Sequence, residues 1–523
     1  MSNNAKKHIV YEQKQMKMLS DEEVQQCLNV YNHNYGRWAY NGLKNIKTLW
    51  HHVKFPKRKF CSMQKKDNYN IITAKDNNII IGYAVYFRGY INEKKDIISW
   101  VASLVVSKKY RRQGIASKML QSIWTFSTDY AWGLATPNPM TVYTLEKATR
   151  RTIDLSYIAK EKSLLKDIQS KFKYYLEKDM IENDYTSNSL VNTNFPIINQ
   201  ADKYIRQYER ISKRKWQLGK FIKGYEWIAL TFQSQTPKAI TKDELINKIE
   251  YDSMQIKDAY SRMNMQKHKW AQGTQNEINF ILNFLCENNI ELDKNDYIYD
   301  FGCGTGRHCI ELYNKGYRNI TGYDYSDKHI QNISGDKTVT FEVKDIAQRN
   351  LILKNKAKLI LSLYDVIGSS YNDDVNNAVL ENIYNNLHDN GVAVISVMSM
   401  EYTMHLKPLY VDNIRENPQY IQDLPARNIM ESTGEIFNPK YLLIDKQTPA
   451  LVYRKEQFEN GSLPIEYIMV DRRYKKAEIE KLAAEFKFEI LYSAYTSAGH
   501  FEKSYSVTDD HAKEILLILK RGI

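Results

Sequence analysis

Hydrophobic positions along the chain alternate between a period of two and a helical period. IITAKDNNIIIGYAVYF, starting at residue 71, has β-rich runs on either side of Asp76-Asn77-Asn78, the pattern of a hairpin; DIISWVASLVV reads as a further buried strand. The period then changes. Ile115, Met119, Leu120, Ile123 and Trp124 have helical spacing, which places Gly114 at a helix N-terminus. The polar run at 181–200 shows no periodicity and reads as a long loop. A strand, EWIALTF, ends at residue 232. Thr236-Pro237 then breaks the chain, and Thr241 with Glu244 forms a capping box that opens a helix. A domain boundary near residue 240 follows. Beyond it YIYDFG, NITGYD, VTFEV, KLILSLYDVIG and LHDNGVAVISV read as short buried strands, and the chain closes on a helix and two more strands. Both parts are of the α/β class.

Length agrees with two or three domains, since 523 residues exceed one ordinary domain. Charge sharpens the division. Residues 1–240 hold 40 Lys and Arg against 20 Asp and Glu, a balance of +20; the remainder holds 34 against 41, a balance of −7. A basic half of this size points to a polyanion or an anionic cofactor. No window of about 18 apolar residues occurs, so no membrane partner is expected. The first twenty residues lack the apolar core of a signal peptide, and a cytoplasmic location is the expectation. The five cysteines form no CxxC pair, so no metal site is indicated.

Two turns carry candidate chemistry. The first follows the strand that ends on Leu104, Val105 and Val106: Arg111-Arg112-Gln113-Gly114-Ile115-Ala116. Glycine lets a ligand approach the backbone, and first-turn N–H groups at a helix start suit a pyrophosphate. This turn resembles the acetyl-CoA signature of the GCN5-related N-acetyltransferases (GNAT), Arg/Gln-x-x-Gly-x-Gly/Ala. Downstream, Asn138 and the helix after it resemble the family's next motif. The resemblance implies acetyl-CoA as cofactor, a backbone edge at 104–106 for its pantetheine arm, and an N-acyltransferase activity. One position departs from it. The tyrosine that protonates the departing thiolate in many relatives falls on Leu145; Tyr143 lies two residues earlier, about 200° round the helix. The strand before Gly114 also lacks a carboxylate base. A binding module without acyltransferase chemistry is therefore a second reading of this half.

The second turn is Asp300-Phe-Gly302-Cys303-Gly304-Thr-Gly306, between a strand and a helix, followed by a strand that ends on Asp324-Tyr325. Glycines admit an adenosyl ligand, and an acidic residue about twenty positions on accepts ribose hydroxyls. The form resembles class I S-adenosylmethionine (SAM) methyltransferases. That resemblance implies a Rossmann-like seven-stranded domain over 275–523, SAM as cofactor, and an adenine cap at Asp345-Ile346. It also implies a lid of antiparallel strands inserted at about 400–475, with turns at Lys446-Gln447 and Glu459-Asn460-Gly461. The family's reacting residues fall on Tyr364 and Asp365. Neither Asn/Asp-Pro-Pro-Tyr nor Pro-Cys stands there, which argues against exocyclic-amino and cytosine-C5 base methylation. Arg472 and Arg473 are candidates to grip an anionic acceptor, His308 to touch SAM or substrate, and Trp270, in the helical connector 241–274, to close over the site.

The remaining basic stretches, 51–66 and 203–220, mix cations with Tyr, Trp and Phe. Phosphates attract the cations and unstacked bases the rings, which favours RNA over duplex DNA. Two solvated helix faces with aromatic stems in the core explain the same pattern. The expected function is a SAM-dependent N- or O-methyltransferase coupled to an acetyl-CoA-dependent N-acyltransferase, acting on RNA or on a small-molecule or peptide acceptor.

Overall fold

Two segments of alternating pattern meet where Asn77 and Asn78, both at positive φ (49° and 65°), turn the chain back on itself. In the computed structural model β2 (Tyr69–Asp76) and β3 (Ile79–Ile91) form that hairpin. The structure describes residues 9–39, 51–91, 96–171, 185–193, 195–197, 199–260, 269–333, 339–370, 372–414, 416–428, 438–446, 450–460 and 463–522. It divides into two compact units, Met1–Glu244 and Leu245–Ile523.

In the first unit, β1 (Ile9–Gln15), β2, β3, β4 (Asp96–Val106), β5 (Ala131–Thr136), β6 (Leu190–Asn192) and β7 (Tyr225–Phe232) form one sheet in the order β1-β2-β3-β4-β5-β7-β6. Only β4 and β5 are parallel. Their pairing runs from Ile98–Ala131 to Val101–Leu134 and stops. The register of β4 on β3 also shifts there, leaving Ala102 as a bulge between Val101 and Ser103. Beyond the bulge β4 pairs with β3 alone, and a cleft opens between it and β5. The helices are α1 (Asp21–Asn34), α2 (Lys57–Gln64), α3 (Ile115–Trp124), α4 (Pro139–Thr149), α5 (Leu155–Lys160), α6 (Lys162–Lys171) and α7 (Ala201–Ser212). The stretch expected as a loop at 181–200 contains β6, with 181–184 outside the described residues.

The division falls in the first turn of α8 (Lys242–Tyr260), and α9 (Lys269–Gln272) and α10 (Thr274–Glu287) follow it ahead of the second unit's sheet. Thr241 and Glu244 make the expected capping box at the start of α8. This helix is more than a connector: buried Asp252 accepts from the Ile468 N–H at 2.9 Å and pairs with Lys248. The sheet elements alternate with helices: β8 (Tyr297–Phe301), α11 (Arg307–Asn314), β9 (Asn319–Asp324), α12 (Asp327–Asn332), β10 (Thr340–Val343), β11 (Ala357–Ser362), α13 (Asp373–Asn386) and β12 (Leu387–Met398). The order is β10-β9-β8-β11-β12-β19-β18, with β18 (Phe488–Thr496) and β19 (Glu514–Arg521) antiparallel. Hydrophobic cores cover both faces: Ile360, Ile395 and Leu517 point to one, and Leu359, Val394 and Leu516 to the other. Successive residues of β11, β12 and β19 therefore serve opposite cores, so these strands read as continuous apolar runs.

Between β12 and α16 (Lys476–Glu485) lies the insertion. It contains α14 (Met400–His405), α15 (Gln419–Asp423) and a second sheet of β13 (Leu409–Val411), β14 (Arg427–Asn428), β15 (Leu442–Asp445), β16 (Leu451–Asn460) and β17 (Leu463–Arg472). Residues 447 and 461, in its two expected turns, lie outside the described residues. No described helix is long and apolar enough to cross a membrane.

Candidate functional site

In the second unit the carboxyl ends of β8, β9 and β10 gather the glycine loop and two acidic tips. Gly304 has φ +53°, and a Cβ there meets nothing within 4 Å, so its backbone faces open space. Gly302 and Gly306 are packed instead: a Cβ would lie 2.5 Å from Val366 and 2.6 Å from Phe341. Asp324, 6% exposed, closes the loop from the end of β9. Its Oδ2 accepts from the Gly304 N–H and its Oδ1 from the Ser326 N–H, both at 2.9 Å. Burial alone pushes this carboxyl up, but the His329 imidazole and those two amides hold it below the usual carboxylate range. The Lys344 N–H donates to the Asp324 carbonyl (2.8 Å), which sets exposed Asp345 beside it. Tyr325 is 40% exposed on the same edge. Ile346 and Cys303 turn into the cores. Asp300 is buried beside Cys309, and burial raises its pKa.

The end of β11 is strained. Tyr364 and Asp365 are consecutive non-glycine residues at φ +62°. The Tyr364 ring lies 6.0 Å from His308 and 6.4 Å from Phe501, with the Arg307 guanidinium 4.5 Å above it. Asp365 has one carboxylate oxygen with no hydrogen-bond partner. Burial raises its pKa well above the usual range, Asp471 adds to this, and Arg454 and Arg473 oppose it.

Sequence reasoning missed Glu514, the first residue of β19. It is 4% exposed, one of its oxygens has no partner, and burial with nearby Glu277 pushes its pKa up to about 8. A lone glutamate at a strand start carries no sequence signal. The folded protein therefore holds a proton that the unfolded chain releases above the ordinary carboxylate pKa. Glu514 costs stability as pH rises from about 4.5 to about 8. We expect Glu514→Gln to flatten that decline, by up to about 1.4 kcal/mol per pH unit, in urea unfolding followed across this range.

Several expected ligand contacts are committed elsewhere. His308 Nε2 pairs with buried Glu277 Oε2 at 2.8 Å, and Arg307 Nη1 with the same oxygen at 2.8 Å. Arg472 donates to Asp373 (2.9 Å) and Glu478 (2.5 Å), and Arg473 to Thr403 Oγ1 (2.7 Å). Arg472 braces the insertion against α13 and α16, Arg473 ties the end of β17 to α14 within it, and neither presents a free fork to an acceptor. Trp270 lies in α9, but its side chain is outside the described residues.

In the first unit Gly114 caps α3 at φ +78°, and a Cβ there meets nothing within 4 Å. The α3 N-terminus faces open space at this position, with Ile115 buried behind it and Gln113 and Arg112 exposed beside it. Arg111 is spoken for: its Nε donates to the Val106 carbonyl (3.1 Å) and its Nη2 to the Asn34 carbonyl. It fixes the turn, and Arg112 is the free cation of the two described here. Leu104, Val105 and Val106 lie on the β4 edge past the bulge, and buried Ser103 Oγ has no partner there. An open glycine, an unpaired strand edge and an orphaned hydroxyl fit a phosphopantetheine ligand. Asn138 caps α4 through the Met140 N–H (3.0 Å). Leu145 is fully buried, and Tyr143 packs edge-on against Tyr208 (6.3 Å), where α4 meets α7. Leu145 has no proton to give. Glu226, missed from sequence, lies on β7, and burial pushes its pKa up to about 7.

The basic stretches separate charge from rings. In 51–66 Phe55 and Phe60 are buried against each other while Lys54, Lys57 and Arg58 are exposed. In 203–220 Tyr208 is buried and Trp216 packs between Tyr208 (5.1 Å) and Trp227 (4.8 Å). Arg214 is not a free cation: its Nη2 lies 2.6 Å from Glu146, a side chain only 5% exposed. We expect Arg214→Ala to lose about 1–3 kcal/mol by removing the cation paired with Glu146, which keeps only the Tyr208 hydroxyl and the Ile153 N–H as described donors, and Lys215→Ala to stay within about 0.5 kcal/mol, in denaturant unfolding.

Comparison with known proteins agrees with this architecture. Residues 36–132 match the model of the acetyltransferase (GNAT) family, and residues 292–460 match a methyltransferase domain model. The chain thus carries a GNAT domain and a methyltransferase domain. No curated protein matches it. Among solved structures it is similar to the CcbJ methyltransferase of Streptomyces caelestis, with 12% identity, 48% of this chain and 90% of that one covered, and a TM-score of 0.34. It is also similar to a S-adenosylmethionine-dependent methyltransferase of Clostridium acetobutylicum, with 17% identity, 51% and 98% covered, and a TM-score of 0.34.

Proposed function

We propose that the chain is a transferase with two activities, SAM-dependent N- or O-methylation in the second unit and acetyl-CoA-dependent N-acylation in the first. The observation that carries it is a pair of open glycine turns, Gly304 facing Asp324 and Gly114 at the head of α3. SAM supplies a methyl group on a sulfonium, and acetyl-CoA an acyl group on a thioester. In the second unit the loop and Asp324 bind, Asp345 stands over the adenine side, and strained Tyr364-Asp365 line the approach to the methyl group. With no Pro-Pro-Tyr or Pro-Cys element, acceleration rests on orientation and exclusion of water.

Exposed Lys203, Arg206 and Arg210 share one face of α7 and support an electrostatic contact with an anionic acceptor such as RNA. The packed rings of Phe55, Phe60 and Tyr208 give no support to base stacking. We therefore favour a small-molecule or peptide acceptor. The test is a binding assay with bulk transfer RNA at two salt concentrations: little or no binding at low salt is the expected result. Tight binding with a steep salt slope would reinstate RNA.

A further inference from the structure

We propose that Glu226 is the proton acceptor for an amine attacking in the cleft between β4 and β5, so that the first unit's acceptor is an ammonium-bearing molecule or lysine side chain. This rests on the acetyl-transfer reading. The register places the residue. The last rung between β5 and β7 is Thr136–Trp227, and Glu226 stands one residue beyond it, opposite Val191 of β6. The last rung between β4 and β5 is Val101–Leu134, two residues earlier on β5. Glu226 is thus close to level with Ser103 and Leu104, across the gap where β5 has parted from β4 and ended. Two strand spacings, about 10 Å, separate them. A thioester lying along β4 and an amine beside it fill that width.

The face is also set. Thr231 Oγ1 meets Thr149 Oγ1 of α4 at 3.1 Å, so Trp227, Ala229 and Thr231 face α4. Glu226 alternates with them and shares its face with Ile228 and Leu230. Leu230 in turn lies over Gly133 beside Trp100. Helix α4 packs on α3, whose N-terminus is the cofactor's end, so Glu226 looks into the cleft from the opposite face. The chain leaving β6 carries Phe195 against Trp38 (5.1 Å) and Tyr35 (6.1 Å), rings of the kind that favour an organic cation. The residue as a whole is half-buried, and burial of its carboxyl pushes the pKa up to about 7, where a general base works best near neutrality. Among the described residues no charged group contributes to this shift, and the Thr193 hydroxyl opposes it.

The balance is simple. The Glu226 carboxylate takes a proton from the bound ammonium. The freed nitrogen lone pair bonds the thioester carbonyl carbon as the carbon–sulfur bond breaks. The second N–H proton passes to the departing thiolate, and Glu226 returns its own proton to solvent. The products are the amide, the free thiol and one proton. No side chain at Leu145 is required to act as acid.

The test compares wild type with Glu226→Gln and Glu226→Asp in the full chain. Calorimetry with acetyl-CoA should give affinities within about twofold for all three. Infrared difference titration should show a protonated carboxyl that ionises near pH 7, shifts when acetyl-CoA is added, and is missing from Glu226→Gln. With spermine and blocked lysine amide as amines, Glu226→Gln should lower the rate of CoA release about 10²–10⁴-fold. It should also lose the rise in rate through pH 7, and Glu226→Asp should restore part of both. If turnover is too slow to follow, the infrared band decides. A carboxyl spectrum that is the same in wild type and Glu226→Gln, a difference band indifferent to acetyl-CoA, or an unchanged pH profile overturns the assignment; the buried carboxyls of the second unit, Glu514 and Asp365 among them, contribute equally to both proteins and cancel. Failure of wild type to bind acetyl-CoA at all would instead overturn the acetyl-transfer reading itself.

Discussion

Asp324→Ala should weaken SAM binding by about 2–4 kcal/mol, the cost of removing a charged acceptor from hydrogen bonds to ribose hydroxyls. The side chain has two tasks in the structure. It accepts from the Gly304 and Ser326 amides, which fixes the open loop, and it stands charged at the end of β9. Removing it strands the Gly304 N–H as well as the ribose, so the effect falls at the larger end of an ordinary hydrogen-bond deletion. Asp324→Asn keeps an acceptor for one amide and loses the charge, and should fall between wild type and alanine. Calorimetric titration with SAM measures the effect, and a melting curve of each variant separates loss of ligand contact from collapse of the loop.

Gly114→Glu should abolish acetyl-CoA binding. The open space around the glycine means the new side chain meets no clash in the protein itself. It stands instead where the pyrophosphate approaches, carrying a negative charge against the amides of the α3 first turn. The backbone at φ +78° adds about 1–2 kcal/mol of strain for any side chain. Gly114→Ala carries only the strain and one methyl group, and should weaken binding less. A titration in which Gly114→Glu binds acetyl-CoA as tightly as wild type would remove the phosphate from this turn.

Much of the frame was legible because it rests on local rules. The Asn77-Asn78 turn, the α3 start at Gly114 and the glycine loop after β8 are fixed by residues adjacent in the chain. The parallel strands announced themselves as apolar runs, since both faces of the second unit's seven-stranded sheet are covered. What escaped depends on partners far apart in sequence. His308 meets Glu277, 31 positions away, and Arg472 meets Asp373, 99 positions away; neither spacing has a pattern. Arginines at the end of β17 resemble an anion grip in sequence and are braces in space. Glu226 and Glu514 look like ordinary strand residues until the fold buries them. In the basic stretches, neighbours in sequence separate in the fold: Phe60 and Tyr208 are buried while Lys57, Arg58, Lys203, Arg206 and Arg210 stay exposed.

Equilibrium titration of the full chain with SAM and with acetyl-CoA, repeated on Asp324→Ala and Gly114→Glu, tests the two-site proposal most directly. One molecule of each ligand per chain is expected in wild type. Asp324→Ala should lose SAM and keep acetyl-CoA, and Gly114→Glu should do the reverse. A wild-type chain that binds only one of the two ligands, or a folded variant that loses both, would contradict it.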